Sequence, residues 1–248
     1  MRRRTETALV LRRWPWSEHS LALRVLTPGS GVVPLLAKGV FKPTSGKFGV
    51  LDTWALVEIE YGGPDDAELL NLYRCRLLDR MSGLSADPER LIVAAVAAEL
   101  AELAAPPEPA ASFHYLLETL HHLANGEPTE AAALRAALAG LDLLGLGPVL
   151  EAGPDPPAAG RRWFAAAEGG LLPAGSPRPA GACRSISPAE LALLRAVRAG
   201  DRTAAAEADS AVRRACLTIL GDFLHYHLER PPRAWAFLVR RRPTAAAR

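Results

Sequence analysis

Aromatic residues are scarce in this 248-residue chain, at 6%, so its core must be built mainly from aliphatic side chains. Cysteine is scarcer still. Cys75, Cys183 and Cys216 are odd in number and far apart, which excludes a disulfide framework and a C-x-x-C metal clip. That usage fits a reducing compartment, and a cytoplasmic protein is expected. No run approaches ~20 apolar residues free of charge and proline, which excludes a membrane-spanning helix. The basic start, Met1-Arg2-Arg3-Arg4, leads into Thr5-Glu6-Thr7 and no apolar stretch, so a cleavable secretory signal is not expected. Phosphate-cradling, dinucleotide-binding and nucleophile-elbow motifs are missing, and an enzyme is not expected. Lysine is nearly missing too: only Lys38, Lys42 and Lys47, inside one ten-residue window, while all other basic residues are arginine.

What is present is segregated charge. The formal net charge is +2. Residues 1–50 hold nine Lys/Arg against two Glu, and residues 51–73 hold six acids and no base. Residues 81–209 hold sixteen acids against nine bases, and residues 210–248 hold eight bases against two acids. Both ends are basic and the middle is acidic, so a near-neutral total conceals strong local fields.

Five short apolar segments occupy the first third: 7–14, 20–27, 31–38, 54–61 and 69–77. Turn chemistry separates them at 15–18, 28–31 and 62–66. Within 54–61, Ala55, Val57, Ile59 and Tyr61 alternate against Leu56, Glu58 and Glu60, the period of a half-buried strand. Five strands with one long connection after the third suit an OB-fold barrel, with an SH3-like barrel as competitor.

After residue 80 the period becomes helical. Asp87 is the expected N-cap of a helix from Pro88 to Ala104, 110–125 forms a second, and Thr129 caps a third to about Leu144. Residues 147–181 are rich in Gly and Pro and read as an irregular insert, with a short strand at Trp163–Ala166. Ser187-Pro188 opens a helix to about Ala199, and Asp201 opens a long one to about Glu229. There, Val212, Cys216, Ile219, Leu220, Phe223 and His227 share a face. The expected fold is therefore α+β: an OB-fold domain over 1–80, a helical domain over 81–236 containing the 147–181 insert, and a basic tail over 237–248.

The histidines do not converge. His121-His122 and His225-Tyr226-His227 are spaced i,i+1 and i,i+2, which point apart on a helix, and no carboxylate motif completes a zinc site. The basic window is more informative. Over 37–49 (AKGVFKPTSGKFG) three lysines alternate with Phe41, Phe48, glycines and small residues, on the loop after strand three. Lysines neutralise phosphates, exposed aromatics stack on bases, and OB barrels use such grooves for single strands. Solvated lysines, with both phenylalanines packed on the barrel, are the simpler alternative. The candidate DNA contacts are Lys38, Lys42, Lys47 and Phe41, with Arg12, Arg13 and Arg24 on the first two strands. Trp14 and Trp16 suit stacking or packing. Since 51–73 is acidic, one side of the barrel must dominate.

The same residues carry a resemblance. The N-terminal pattern, with Glu18-His19-Ser20, Leu26-Thr27-Pro28-Gly29-Ser30-Gly31, Ala37-Lys38-Gly39-Val40 and Leu51, resembles the RecO recombination mediators of bacteria. Leu143-Leu144-Gly145-Leu146-Gly147-Pro148, Gly169-Gly170-Leu171-Leu172, Ile186-Ser187-Pro188 and Tyr226-His227-Leu228 follow in the family's order. The resemblance implies a non-enzymatic DNA repair and recombination protein that is nucleoid-associated. Such a protein binds single- and double-stranded DNA, anneals strands, contacts the single-strand-binding protein's C-terminal tail, and acts with RecR to load recombinase. The resemblance implies that this tail is acidic, and Arg213, Arg214 and Arg230, near the last long helix, are its candidate contacts. The alternative is a protein-interaction adaptor built on the same barrel. Two departures stand out. Many family members carry a four-cysteine zinc ribbon in the insert, where this chain has, approximately, Gly153, Pro156, Pro173 and Ser176; no cofactor is therefore expected. The family's Lys-Ser element after the last helix is replaced by Glu229-Arg230-Pro231-Pro232-Arg233.

Overall fold

The computed structural model describes residues 2–42, 45–64, 67–153 and 162–239. The loop residues Pro43 and Thr44, the turn residues Asp65 and Asp66, Pro156 and the basic segment from Arg240 lie outside them. By internal packing the chain forms two compact units. One joins Met1–Ala86 to Ala101–Asn125, and the other joins Asp87–Leu100 to Gly126–Arg248. The change of texture near residue 80 is thus a change of secondary structure, while the first packing unit takes in a later helix.

The first unit is a closed barrel of β1 (Arg2–Ser17), β2 (Ser20–Thr27), β3 (Gly31–Ala37), β4 (Leu56–Gly63) and β5 (Leu70–Asp79), ordered β1-β2-β3-β5-β4. β3 and β5 meet in parallel, the remaining pairs are antiparallel, and this is the OB-type arrangement. Closure depends on the length of β1. Its first half pairs with β4, its second half pairs with β2, and Leu9 partners both Leu56 and Leu26. Charge hid the N-terminal extension: Arg2 to Thr5 do not alternate with apolar residues, yet they pair with Tyr61 to Gly63 and Glu60. The alternation in 54–61 has the expected result. Ala55, Val57, Ile59 and Tyr61 are all buried, beside Val10, Leu23, Val25, Leu35 and Leu51.

One end of the barrel is tied by a polar cluster. The Tyr61 hydroxyl, in a side chain that is 1% exposed, donates to Glu6 Oε1 at 2.5 Å. Ser30 Oγ donates to the same oxygen at 2.7 Å, and the Gly29 amide donates to Glu6 Oε2 at 3.0 Å. These bonds join the β2–β3 turn to β1 and β4. Burial alone would raise the Glu6 carboxyl; donation by Tyr61, Ser30, Thr27 and Gly29 outweighs it and holds the group below its ordinary value. The Tyr61 hydroxyl is pushed up, by burial first and by Glu6 second.

Helices α1 (Pro88–Ala104), α2 (Pro109–Ala124) and α3 (Thr129–Leu143) follow the barrel. Asp87 accepts the Glu89 amide at 2.9 Å, as a cap should. Thr129 instead lies within the first turn, where its hydroxyl faces Asp87, and Pro128 precedes the helix. α3 buries nearly its whole circumference, from Ala131 to Leu141, which its run of alanine and leucine permits. The insert is more regular than its composition implies: β6 (Arg162–Ala165), β7 (Gly170–Leu171) and β8 (Cys183–Ile186) form a three-stranded sheet ordered β7-β6-β8. Each strand is too short for a visible period.

α4 (Pro188–Arg198) begins with a full capping box of Ser187 and Glu190. The single long helix expected from Asp201 is in fact two, α5 (Arg202–Glu207) and α6 (Ser210–His227). Both Asp201 and Asp209 are caps. Asp209 accepts the Ala211 amide at 2.6 Å, and Ala208 is extended between the helices. On α6 the buried face runs through Cys216, Ile219, Leu220 and Phe223 as expected, while Val212 and His227 are only half-buried. A short α7 (Trp235–Val239) follows Pro232. Its Trp235 is buried over Gly221, where a Cβ would stand 2.4 Å from the indole nitrogen.

Candidate nucleic-acid interface

The connection from β3 to β4 folds back beside the tight β1–β2 turn. The two enclose an open groove of about 790 Å³ lined by Trp16, His19, Leu36, Lys38, Lys42 and Lys47, among others. Three lysines spread over ten residues are thus brought to one surface. Gly39 makes the bend possible. Its φ of 70° is left-handed, and the Lys42 stem lies 3.5 Å from where a side chain would begin. Lys38 and Lys42 are exposed. Lys47 is half-buried and donates to the Leu72 carbonyl at 3.0 Å, so it anchors the loop to β5 as well as charging the groove.

Phe41 and Phe48 do not pack into the barrel. They meet edge to face at 6.1 Å and remain exposed, Phe48 at 67%. Neither lines the groove. The aromatic that does is Trp16, 57% exposed at the end of β1. Sequence reasoning left Trp16 between stacking and packing and gave His19 no role beyond its motif. The available signal was the short Ser17–Ser20 turn, which sets both residues beside whatever follows β3.

The arginines divide. Arg12 on β1 is directly opposite Arg24 on β2, and Glu102 is 3.5 Å from the first and 3.7 Å from the second. One carboxylate shared by two guanidiniums leaves a local excess of positive charge. The strand registers align Trp14, Ala22 and Leu36 two residues further along the same face, with Lys38 two beyond Leu36. At ~3.3 Å per residue, arginine pair and lysine groove are about 13 Å apart along one face of the sheet, with the buried Ala22 between them. Arg13 faces the other way, held by Asp52 at 2.8 Å and near the Leu51 carbonyl. The acids of β4 are on a different face. Glu58 pairs with Arg76, and Glu60 pairs with Arg3 and Arg74. The acidic stretch is therefore partly neutralised and does not line the groove.

In the second unit, the three candidate partner arginines have unlike surroundings. Arg213 is largely buried. It meets Glu130 at 3.0 Å and donates to the carbonyls of Ala206 and Ala208 at the end of α5. Arg214 is half-exposed, 3.5 Å from Glu130, and lines a small cleft of about 130 Å³ with Ile92, Leu217, Phe237 and Leu238. Arg230 is exposed after α6 and is not among the cleft's lining residues. Burial pushes the Cys216 thiol up to about 12, with Glu190 adding to the shift, so this thiol stays protonated and unreactive. Among the described residues, no three His, Cys, Asp or Glu side chains are grouped to hold a metal. Gly153, Pro173 and Ser176 offer no thiolate, so a zinc ribbon's donor set does not fit this insert. No helix among the described residues is long and apolar enough to cross a membrane.

The family model for the Recombination protein O N terminal matches residues 1–81, and that for the Recombination protein O C terminal matches residues 85–236. The chain belongs to the RecO family. Its similarity to curated RecO proteins is moderate. The DNA repair protein RecO of Burkholderia pseudomallei is 36% identical over 130 residues, 50% of this chain and 44% of that protein. The one from Variovorax paradoxus is 43% identical over 67 residues, 27% of this chain and 25% of that protein. The one from a Nocardioides species is 29% identical over 245 residues, 95% of this chain and 98% of that protein. The matched stretches thus span less than half of the first two RecO proteins and nearly all of the third.

Proposed function

We propose that this chain is a non-enzymatic mediator of DNA repair and recombination that holds single-stranded DNA in the groove of its barrel. The observation that carries this reading is the convergence of Lys38, Lys42 and Lys47 with the exposed Trp16 on one face of an OB-type barrel. Membership of the RecO family and the name of its relatives support it. Annealing needs no bond-making residue. It needs a cationic surface that lowers the repulsion between two polyanions while their bases stay free to pair. Lys38 and Lys42 supply exposed point charges for phosphates, Trp16 a ring on which a base can stack, and the Arg12–Arg24 pair a second positive site on the same face of the sheet. Double-stranded DNA, RecR and the tail of single-strand-binding protein are the further partners in this reading. For the acidic tail, Arg214 beside the apolar cleft of Leu217 and Phe237 is the better candidate than Arg213, whose donors are already engaged. The setting is the cytoplasm.

Changing Lys38, Lys42 and Lys47 together to alanine lowers affinity for single-stranded DNA. It also flattens the slope of log K against log salt by up to ~0.7 for each phosphate that is no longer neutralised. A folded triple variant with an unchanged slope removes the groove from the interface.

A further inference from the structure

β6 carries a side chain that neither the DNA groove nor the partner cleft uses. Arg162 is 3% exposed, the one charged residue among the buried polar side chains described. Taking a guanidinium out of water is costly unless its N–H groups are matched. Among the bonds described, backbone carbonyls match Nε and Nη2. Nη2 donates to the Ala152 carbonyl at 2.7 Å and to the Leu172 carbonyl at 2.9 Å, and Nε donates to Leu172 at 3.2 Å. The two acceptors lie in the loops on either side of the strand in sequence. Ala152 directly precedes Gly153, and Leu172 directly precedes Pro173. These are the loops in which a zinc ribbon would place its two pairs of thiolates, and here they hold a buried cation instead. A divalent ion seated beside that guanidinium would be repelled, and Gly153, Pro173 and Ser176 give it no thiolate.

We infer that Arg162 ties the two loops of the insert together in place of a metal ion, so that β6, β7 and β8 hold together without metal. The guanidinium suits the task because it is planar and carries five donors in a fixed fork, always charged. One such group can bond carbonyls from two loops at once, and lysine's compact ammonium cannot reproduce that geometry. The rest of the insert depends on the tie. The Leu172 amide donates to the Trp163 carbonyl at 2.9 Å, and the Leu171 amide donates to Val149 at 2.8 Å, so the loops are held in register with β6. Phe164, next along β6, packs edge to face on Phe223 of α6 at 5.8 Å. Trp163 faces an open groove, with the Arg178 guanidinium 5.6 Å over its ring. The tie therefore fixes the strand that anchors the insert to α6 and presents Trp163.

The test uses the full chain. Metal analysis of the purified protein, together with hydrogen exchange at the amides of Leu171 and Leu172 with and without EDTA, probes the metal. No stoichiometric zinc and unchanged protection are expected. One equivalent of zinc, with protection lost in EDTA, overturns the inference. Arg162→Leu and Arg162→Lys probe the tie. Both should lose protection at these two amides by about tenfold or more, while barrel amides such as those of Val10 and Trp54 keep theirs. If Arg162→Leu does not accumulate as folded protein, Arg162→Lys decides: wild-type protection in that variant overturns the role given to the guanidinium.

Discussion

Two cationic regions of this molecule carry similar formal charge and use it in opposite ways. In the barrel groove, Lys38 and Lys42 are exposed and Lys47 alone is tethered, to a carbonyl. In the helical unit, Arg213 is 14% exposed at its side chain, ion-paired to Glu130 and bonded to carbonyls at the end of α5. A lysine at the end of a flexible stem holds its charge in water, as the proposed phosphate contact requires. An arginine with a planar fork closes the break between two helices and has few donors left to offer. Charge counted along a sequence cannot separate the two, since residues 210–248 are as one-sidedly basic as residues 1–50. What separates them is how many protein acceptors each cation meets, and that emerges only when the chain folds.

If the comparison is right, the largest effect on stability comes from the engaged arginine. Arg213→Ala leaves the Glu130 carboxylate with Arg214 at 3.5 Å and Ser210 as its remaining neighbours among the bonds described, and it strips the α5 carbonyls of a donor. Breaking such a pair costs about 3–5 kcal/mol when fully buried, and partial exposure with Arg214 nearby reduces the expectation to about 2–4 kcal/mol. Denaturant unfolding measures it. Below the transition, the salt slope of DNA binding should match wild type. A variant that loses DNA affinity while keeping its stability would reverse the roles assigned to the two regions.

The next effect falls on the groove. Trp16 is exposed, so Trp16→Ala should change stability by no more than about 0.5 kcal/mol. If a base stacks on the indole, affinity for single-stranded DNA falls by about 1–2 kcal/mol, roughly tenfold in Kd. Stacking carries no counterion, so the salt slope stays the same. An unchanged Kd takes Trp16 out of the interface and leaves the groove a purely electrostatic one.

Much of this was legible beforehand, and for identifiable reasons. Strand period exposed the barrel because Val57, Ile59 and Tyr61 must alternate to fill it. The lysine window marked the groove because lysine is so rare in this chain. The expected OB-type barrel followed by helices is the observed fold, and the family follows from matches over both halves. What escaped has physical causes too. The three strands of the insert are two to four residues long, below the length at which any period shows. The break between α5 and α6 is set by competition between Asp209 and the continuing helix, which composition alone does not decide. Phe41 was a candidate contact by sequence proximity, and the ring that lines the groove is that of Trp16, brought there by a turn more than twenty residues upstream.

The smallest expected effect sharpens the comparison within the barrel itself, whose opposite use of charge is the carboxylate of Glu6. Like Arg213, it is held by several protein groups, accepting from Tyr61, Ser30 and the Gly29 amide. Those bonds outweigh burial and hold its pKa below the ordinary 4.5. A depressed carboxyl stabilises the fold fully above its unfolded value. That contribution is lost as pH falls below 4.5 and through the lower folded value. Glu6→Gln removes the titration and turns charge-assisted hydrogen bonds into neutral ones. At neutral pH the variant should be less stable by about 1 kcal/mol. Between about pH 6 and about pH 3 the gap should then narrow, because only the wild type loses this carboxylate's contribution. Urea midpoints for both proteins across that range measure the convergence. Parallel curves would mean that the cluster tying the β2–β3 turn to β1 and β4 holds without its charge, and the contrast between engaged and free charges would then belong to the arginines and lysines alone.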